Sequence, residues 1–203
     1  GVDFYGVDEL LSPEERQHRD RMRAWVSERF LPTARDHYSA GKFPMEWIAE
    51  LAKLNAFGAT INGYGCAGLS SIAYGLIMQE LERGDSGLRT FASVQGALAM
   101  NAIAMFGSEE QKRTWLGAMA RGEKIGCFGL TEPEAGSNPA QMTTTAKKTS
   151  EGYIVNGSKM WIGNAPFCDL AIVWARIEGD RDSAKDNKSM IRGFLIEKGI
   201  GGF

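Results

Sequence analysis

Cys127-Phe128-Gly129-Leu130-Thr131-Glu132-Pro133-Glu134-Ala135-Gly136-Ser137 stands where the hydrophobic pattern of the chain changes period. Within it fall an aromatic ring, a hydroxyl, two carboxylates and a glycine-serine turn. A second aromatic-plus-glycine turn, Trp161-Ile162-Gly163-Asn164, begins 24 residues after Ser137.

Upstream the pattern is helical. Ser12-Pro13-Glu14-Glu15 reads as an N-cap, a proline at the first helical position and a capping carboxylate. Met22, Trp25, Val26 and Phe30 then recur at three-to-four spacing, and Pro32, which lacks an amide hydrogen, is expected to kink or end that helix. Further helices are predicted from Pro44 to Asn55 with Gly58 as the stop, from Ser70 to Arg83, and from Ser86 to Phe106. A last one opens on the capping box Ser108-Glu109-Glu110-Gln111 and ends at Gly122. Trp25, Trp47, Trp115, Met100, Met105 and Met119 read as core packing.

Downstream, short runs bounded by turn residues read as strands: Lys124 to Leu130, Thr143 to Thr149, Tyr153 to Lys159, Leu170 to Arg176 and Ile191 to Glu197. Ser150-Glu151-Gly152 reads as a hairpin connection, and Asp180 to Lys188 as a charged, mobile surface loop. The expected division is an all-α domain over 1–123 and a β domain over 124–203.

With 203 residues, 43% hydrophobic and 24% charged, the chain suits a soluble protein of one large or two small domains. A net charge of −2 gives no footprint for nucleic acid and no polybasic membrane patch. No apolar run approaches the ~18 residues needed to cross a bilayer, and Gly1-Val2-Asp3-Phe4 shows no leader pattern. Cys66, Cys127 and Cys168 are odd in number and lack metal-ligand spacing, and His18 and His37 lie far from them. Reduced thiols and no metal site are therefore expected.

A flavin presents a flat apolar ring, a polar pyrimidine edge and a pyrophosphate tail, so its site needs a wall, a few aimed donors and close-approach amides. Phe128 and Leu130 suit the wall, Thr131 the donor, and Gly136-Ser137 the amides and a hydroxyl. On spacing alone the stretch also reads as a strand leaving into a polar loop.

Cys-Phe-Gly-Leu-Thr-Glu-Pro-x-x-Gly-Ser resembles the first signature of the acyl-CoA dehydrogenases, with helices before it and strands after it as in that family. The resemblance implies an α+β multidomain fold, an all-α bundle followed by a small antiparallel, barrel-like β domain. It implies FAD as cofactor, with Cys127, Phe128, Gly129, Leu130, Thr131, Gly136 and Ser137 in its cradle. Trp161, Ile162 and Gly163 match the family's second flavin turn, whose tryptophan covers one ring face. Two departures stand out. Gly163 replaces a threonine whose hydroxyl sits near flavin N5 in the family, and Asn138 replaces an aspartate. Since some acyl-CoA oxidases look similar at Gly163, a short-chain oxidase using oxygen is an alternative.

Glu80-Leu81-Glu82-Arg83-Gly84-Asp85-Ser86-Gly87-Leu88-Arg89-Thr90 reads on composition alone as solvated helix ends. It is also similar to the glutaryl-CoA dehydrogenase branch, as are Tyr64-Gly65-Cys66-Ala67-Gly68 and Val173-Trp174-Ala175-Arg176. There the resemblance implies Glu82, Arg89, Thr90 and Ser137 as substrate-binding residues, with Arg89 and Thr90 on the distal carboxylate. A guanidinium suits that task because it offers two parallel hydrogen bonds.

The implied reaction is flavin-dependent α,β-dehydrogenation of a short-chain acyl-CoA, with glutaryl-CoA decarboxylated to crotonyl-CoA. Implied partners are the acyl-CoA, an electron-transferring flavoprotein and further copies of the chain in a homotetramer. The setting would be cytoplasmic in a bacterium, or the mitochondrial matrix in a eukaryote. The family's catalytic glutamate lies in a C-terminal helical domain, so no catalytic base is expected among these residues. Glu132 and Glu134 are not the base in the matched motif. The expectation is an N-terminal domain and part of a middle domain of a longer enzyme, inactive alone. A non-catalytic flavin or acyl-CoA binding module is the remaining alternative.

Overall fold

The structure, a computed structural model, describes residues 4–178 and 190–202. The predicted loop Asp180 to Lys188 lies outside the described residues. The chain divides into two compact units, Gly1–Lys124 and Ile125–Phe203.

In the first unit a short helix α1 (Val7–Leu10) precedes α2 (Pro13–Trp25). The Ser12 hydroxyl accepts from the Glu15 amide at 3.2 Å, and the Glu15 carboxylate accepts from the Ser12 amide at 2.9 Å. These bonds satisfy helix-start donors that have no intrahelical acceptor. Pro32 does not end the helix. A π-helical turn, Val26–Phe30, leads directly into α3 (Leu31–Ala40), with Pro32 in its first turn, where a missing amide is tolerated. Met22, Trp25, Val26 and Phe30 are buried, as their spacing predicts.

The helix predicted over Pro44 to Asn55 is shorter. A single 3₁₀ turn (Met45–Trp47) opens α4 (Ile48–Lys53), and left-handed Asn55 (φ 60°) turns the chain before Gly58 is reached. Next come α5 (Ser71–Gly84), capped by Ser70, and α6 (Ser86–Ser93), capped by Asp85. The helix predicted from Ser86 to Phe106 is continuous in path but widens into a π-helical stretch, Val94–Met100, before α7 (Asn101–Phe106). The predicted capping box at Ser108 and Gln111 opens α8 (Glu109–Ala120), and Gly122 (φ 71°) turns the chain away from it.

The core of this unit gathers Leu51, Phe57, Ile77, Leu81, Leu88, Met100, Ile103, Leu116 and Met119. Met105, predicted to pack, is instead exposed. Glu80 is fully buried between α2 and α5, taking Arg23 at 2.7 Å and Arg83 at 2.8 Å.

The second unit is one sheet of five strands: β1 (Gly126–Gly129), β2 (Thr145–Lys148), β3 (Tyr153–Asn156), β4 (Leu170–Ile177) and β5 (Ile191–Glu197). It is mixed, which corrects the expected antiparallel domain. β1 and β2 both run parallel to β4, while β2–β3 and β4–β5 are antiparallel. The reason is topological. The excursion from Gly129 to Leu170, which carries the β2–β3 hairpin, returns the chain in its original direction, as a parallel pair requires.

β5 occupies one edge of β4 over Leu170 to Arg176. β1 (against Leu170 to Val173) and β2 (against Arg176 and Ile177) therefore follow one another along the other edge. As the shared strand, β4 reads Leu-Ala-Ile-Val-Trp-Ala, an almost unbroken apolar run suited to burial on both faces. Among the described residues no pairing carries β3 round to β1 or β5, so the sheet is open rather than a barrel. The hairpin forms as predicted, with the Thr149 amide donating to the Gly152 carbonyl at 2.8 Å.

Candidate functional site

β1 delivers the signature stretch to the rim of the sheet. Cys127 is buried against Cys168 and Ala171, with Ile162 and Val173 packed on them. Contact with Cys168, together with burial, pushes the Cys127 thiol upward, so it is a neutral packing group. Its side chain is thus in the core and not on a ligand-facing surface. Phe128 is half-buried, its ring centroid 5.9 Å from that of Trp174. Gly129 is crowded: a Cβ there would lie 3.4 Å from Lys159 Cγ.

Past the strand, Leu130 and Thr131 are half-buried and the chain closes a tight turn. The Glu132 amide donates to the Ala135 carbonyl at 3.1 Å and the Ala135 amide to the Glu132 carbonyl at 3.2 Å. Beyond it Gly136, Ser137 and Asn138 are exposed. Glu132 itself turns inward and is 3% exposed. Its carboxylate accepts from the Thr143 amide (2.5 Å), the Thr143 hydroxyl (2.8 Å), the Thr144 amide (3.0 Å) and the Lys159 ammonium (2.8 Å). Burial alone would raise its pKa. The bonds from Lys159, Thr144 and Thr143 outweigh that and hold it down at about 2. Glu132 is a saturated anion and unsuited to proton abstraction. Glu134 is exposed on the turn.

The second turn is pinned to β1 and its loop at both ends. At one end the Met160 amide donates to the Thr131 carbonyl at 2.9 Å, and the Lys159 ammonium to the Leu130 carbonyl at 3.0 Å. At the other, the buried Asn164 amide group donates to the Gly126 carbonyl at 3.2 Å. Trp161 lies between them, in a left-handed conformation (φ 62°) and 86% exposed as a residue. Ile162 and Gly163 are half-buried. The structure therefore brings the Thr131 and Trp161 segments side by side. Lys159, Asn164, Thr143 and Thr144 were missed as site residues. Lys159 reads in the sequence as the end of a strand, and only its charge beside two apolar turns hints at a buried partner.

In the helical unit, Arg89 on α6 donates from Nε to Glu82 on α5 at 2.8 Å, and the Ser86 hydroxyl donates to the same carboxylate at 2.5 Å. The bond from Arg89, then that from Ser86, draws the Glu82 pKa down. This pair uses the Nε–H and not the terminal amino groups of the guanidinium. Thr90 is exposed beside Arg89, while Ser137 belongs to the sheet unit. Among the described residues no cluster of His, Cys, Asp or Glu could hold a metal, and no helix is long and apolar enough to cross a membrane.

Residues 12–123 match the model of the acyl-CoA dehydrogenase N-terminal domain, and residues 127–203 that of the middle domain. The chain is similar to a glutaryl-CoA dehydrogenase from Mycobacterium smegmatis, with 47% identity, a TM-score of 0.89, and 98% of this chain and 49% of that one covered. A structure of a glutaryl-CoA dehydrogenase from the same organism in complex with FADH2 gives 42% identity and a TM-score of 0.92, covering all of this chain and 50% of that one. The mitochondrial isovaleryl-CoA dehydrogenase of Pongo abelii is 32% identical over 95% of this chain and 46% of its own length. The chain spans about half the length of the curated relatives it matches.

Proposed function

The chain belongs to the acyl-CoA dehydrogenase family, and from that premise we propose that it grips the flavin and selects the acyl group in a glutaryl-CoA dehydrogenase. FAD is the cofactor of this family fold and, when bound, supplies the two-electron acceptor.

The observation that carries the reading is the exposed Trp161, held on a strained backbone between two pinned ends beside Thr131. An indole placed so is a surface made for a flat partner. Trp161 covers a ring face, Thr131 offers a hydroxyl, and the open backbone at Gly136 and Ser137 offers amides to the pyrophosphate. Phe128, Gly129, Leu130, Ile162 and Gly163 shape the wall, and Cys127 contributes through its backbone.

Arg89 and Thr90 hold the distal carboxylate of the acyl group. Glu82 fixes Arg89 through Nε, so the guanidinium is oriented before the ligand arrives. The proton-abstracting base lies outside these residues. An electron-transferring flavoprotein receives the electrons, the whole protein is a homotetramer, and the thioester, once α,β-dehydrogenated with its two electrons passed to the flavin, loses carbon dioxide to give crotonyl-CoA. Support for this branch is the 47% identity to the mycobacterial glutaryl-CoA dehydrogenase.

Replacing Arg89 by leucine tests it. Loss of kcat/KM for glutaryl-CoA by about a hundredfold, with butyryl-CoA little changed, is expected. Equal effects on the two thioesters would remove the carboxylate clamp. Gly163 favours a second reading, an oxidase, since the side chain at that position is absent. Peroxide release under air without another acceptor would select it.

A further inference from the structure

We propose that Lys159, held by Glu132, is the positioning residue of the cofactor cradle: one partly buried ammonium sets the spacing between the loop carrying Thr131 and the turn carrying Trp161. The inference rests on the flavoprotein reading and adds a pair that acts through the loops.

Both side chains are withdrawn from water, Lys159 to 11% and Glu132 to 2% exposure. The ammonium reaches across from the Trp161 turn to two acceptors on the facing loop, the Leu130 carbonyl and the Glu132 carboxylate. The next amide along, Met160, adds a bond to the Thr131 carbonyl. The carboxylate also takes three bonds from Thr143 and Thr144, at the entrance to β2. Two separate segments thus converge on the Glu132 side chain, whose acceptor capacity is filled.

A buried ion pair is weak evidence for stability, since an apolar pair of similar volume can hold as well, and its better-attested use is to impose register. Register is what this site needs. Trp161 is two residues from Lys159 and its backbone is strained, so nothing local would keep the indole in place. With Asn164 anchoring the far end, removal of the Lys159 tether leaves the near end held by the single Met160 amide bond.

The test uses the full polypeptide carrying these residues, stripped of flavin and titrated with FAD, comparing wild type with Lys159→Met, Lys159→Arg, Glu132→Gln and Trp161→Ala. Two quantities are read: the dissociation constant, and the fluorescence of the flavin at saturation, which a stacked indole quenches. Lys159→Met is expected to bind FAD at least about tenfold more weakly. Its saturated flavin should brighten toward the Trp161→Ala value, and Lys159→Arg should restore quenching. Loss of fold stability alone would not brighten a saturated flavin. Should Lys159→Met yield no soluble protein, Glu132→Gln carries the test with the same expected brightening.

Wild-type affinity and quenching in Lys159→Met, or in Glu132→Gln where that variant stands in, would overturn this inference and leave the flavoprotein reading intact. So would failure of the arginine variant to restore quenching. A wild-type polypeptide that takes up no flavin would overturn both.

Discussion

Trp161 holds two features that folding alone does not reward, an exposed indole and a left-handed backbone at a residue with a bulky side chain. That conformation costs roughly 1–2 kcal/mol in a non-glycine residue. Trp161→Gly is therefore expected to leave the flavin-free melting temperature unchanged or slightly higher while FAD binding weakens by about tenfold or more. Paired thermal melts and FAD titrations check this, and a large loss of flavin-free stability would contradict it. Glu132 yields a pH prediction of definite sign. Its folded pKa, about 2, lies below the ordinary value of 4.5, so its contribution is fully present above about pH 4.5 and fades as pH falls toward 2. A tenfold difference in proton affinity between the folded and unfolded chain is worth about 1.4 kcal/mol. Unfolding measured from pH 6 to 2 should show a steeper acid loss in wild type than in Glu132→Gln. Parallel curves would contradict the buried anion. Legibility at this scale was uneven. Phe128, Thr131 and Trp161 stand out only through the resemblance of their segments to the family's two flavin turns, since spacing alone reads as a strand leaving into a polar loop. Lys159 and Glu132 do not, because burial of a charge depends on partners far along the chain.

At the scale of elements, Ser12 and Ser108 could be read as helix starts because a capping box is a local interaction three residues long, and both boxes form. The two π-helical stretches could not, since apolar spacing barely differs between i+4 and i+5 closure. The second of them has a packing role. It carries buried Gln95, whose side-chain amide meets the carbonyls of Met119 (3.1 Å) and Lys124 (2.8 Å). It also carries Gly96, where a Cβ would stand 2.7 Å from the Gly58 amide nitrogen. The obstacle is backbone, which cannot swing aside. Gly96→Ala is expected to destabilise the protein by about 1–3 kcal/mol despite alanine's better helix propensity. Chemical denaturation checks it, and a neutral or stabilising result would show that the segment yields.

For the whole molecule, the order of helices before strands was legible because the hydrophobic period changes once, near the signature stretch. Strand direction was not. Runs such as Leu170 to Ile177 look alike in a parallel or antiparallel ladder, and only the return path from Gly129 makes the β1–β4 pair parallel. Family membership adds what geometry within each unit does not, a flavin cofactor. The most direct measurement is an anaerobic titration of the full polypeptide with glutaryl-CoA, followed by the visible absorption of its flavin. The expected result is a yellow protein whose flavin band bleaches on addition of glutaryl-CoA. A colourless protein, or a yellow one whose band no acyl-CoA alters, would contradict the account.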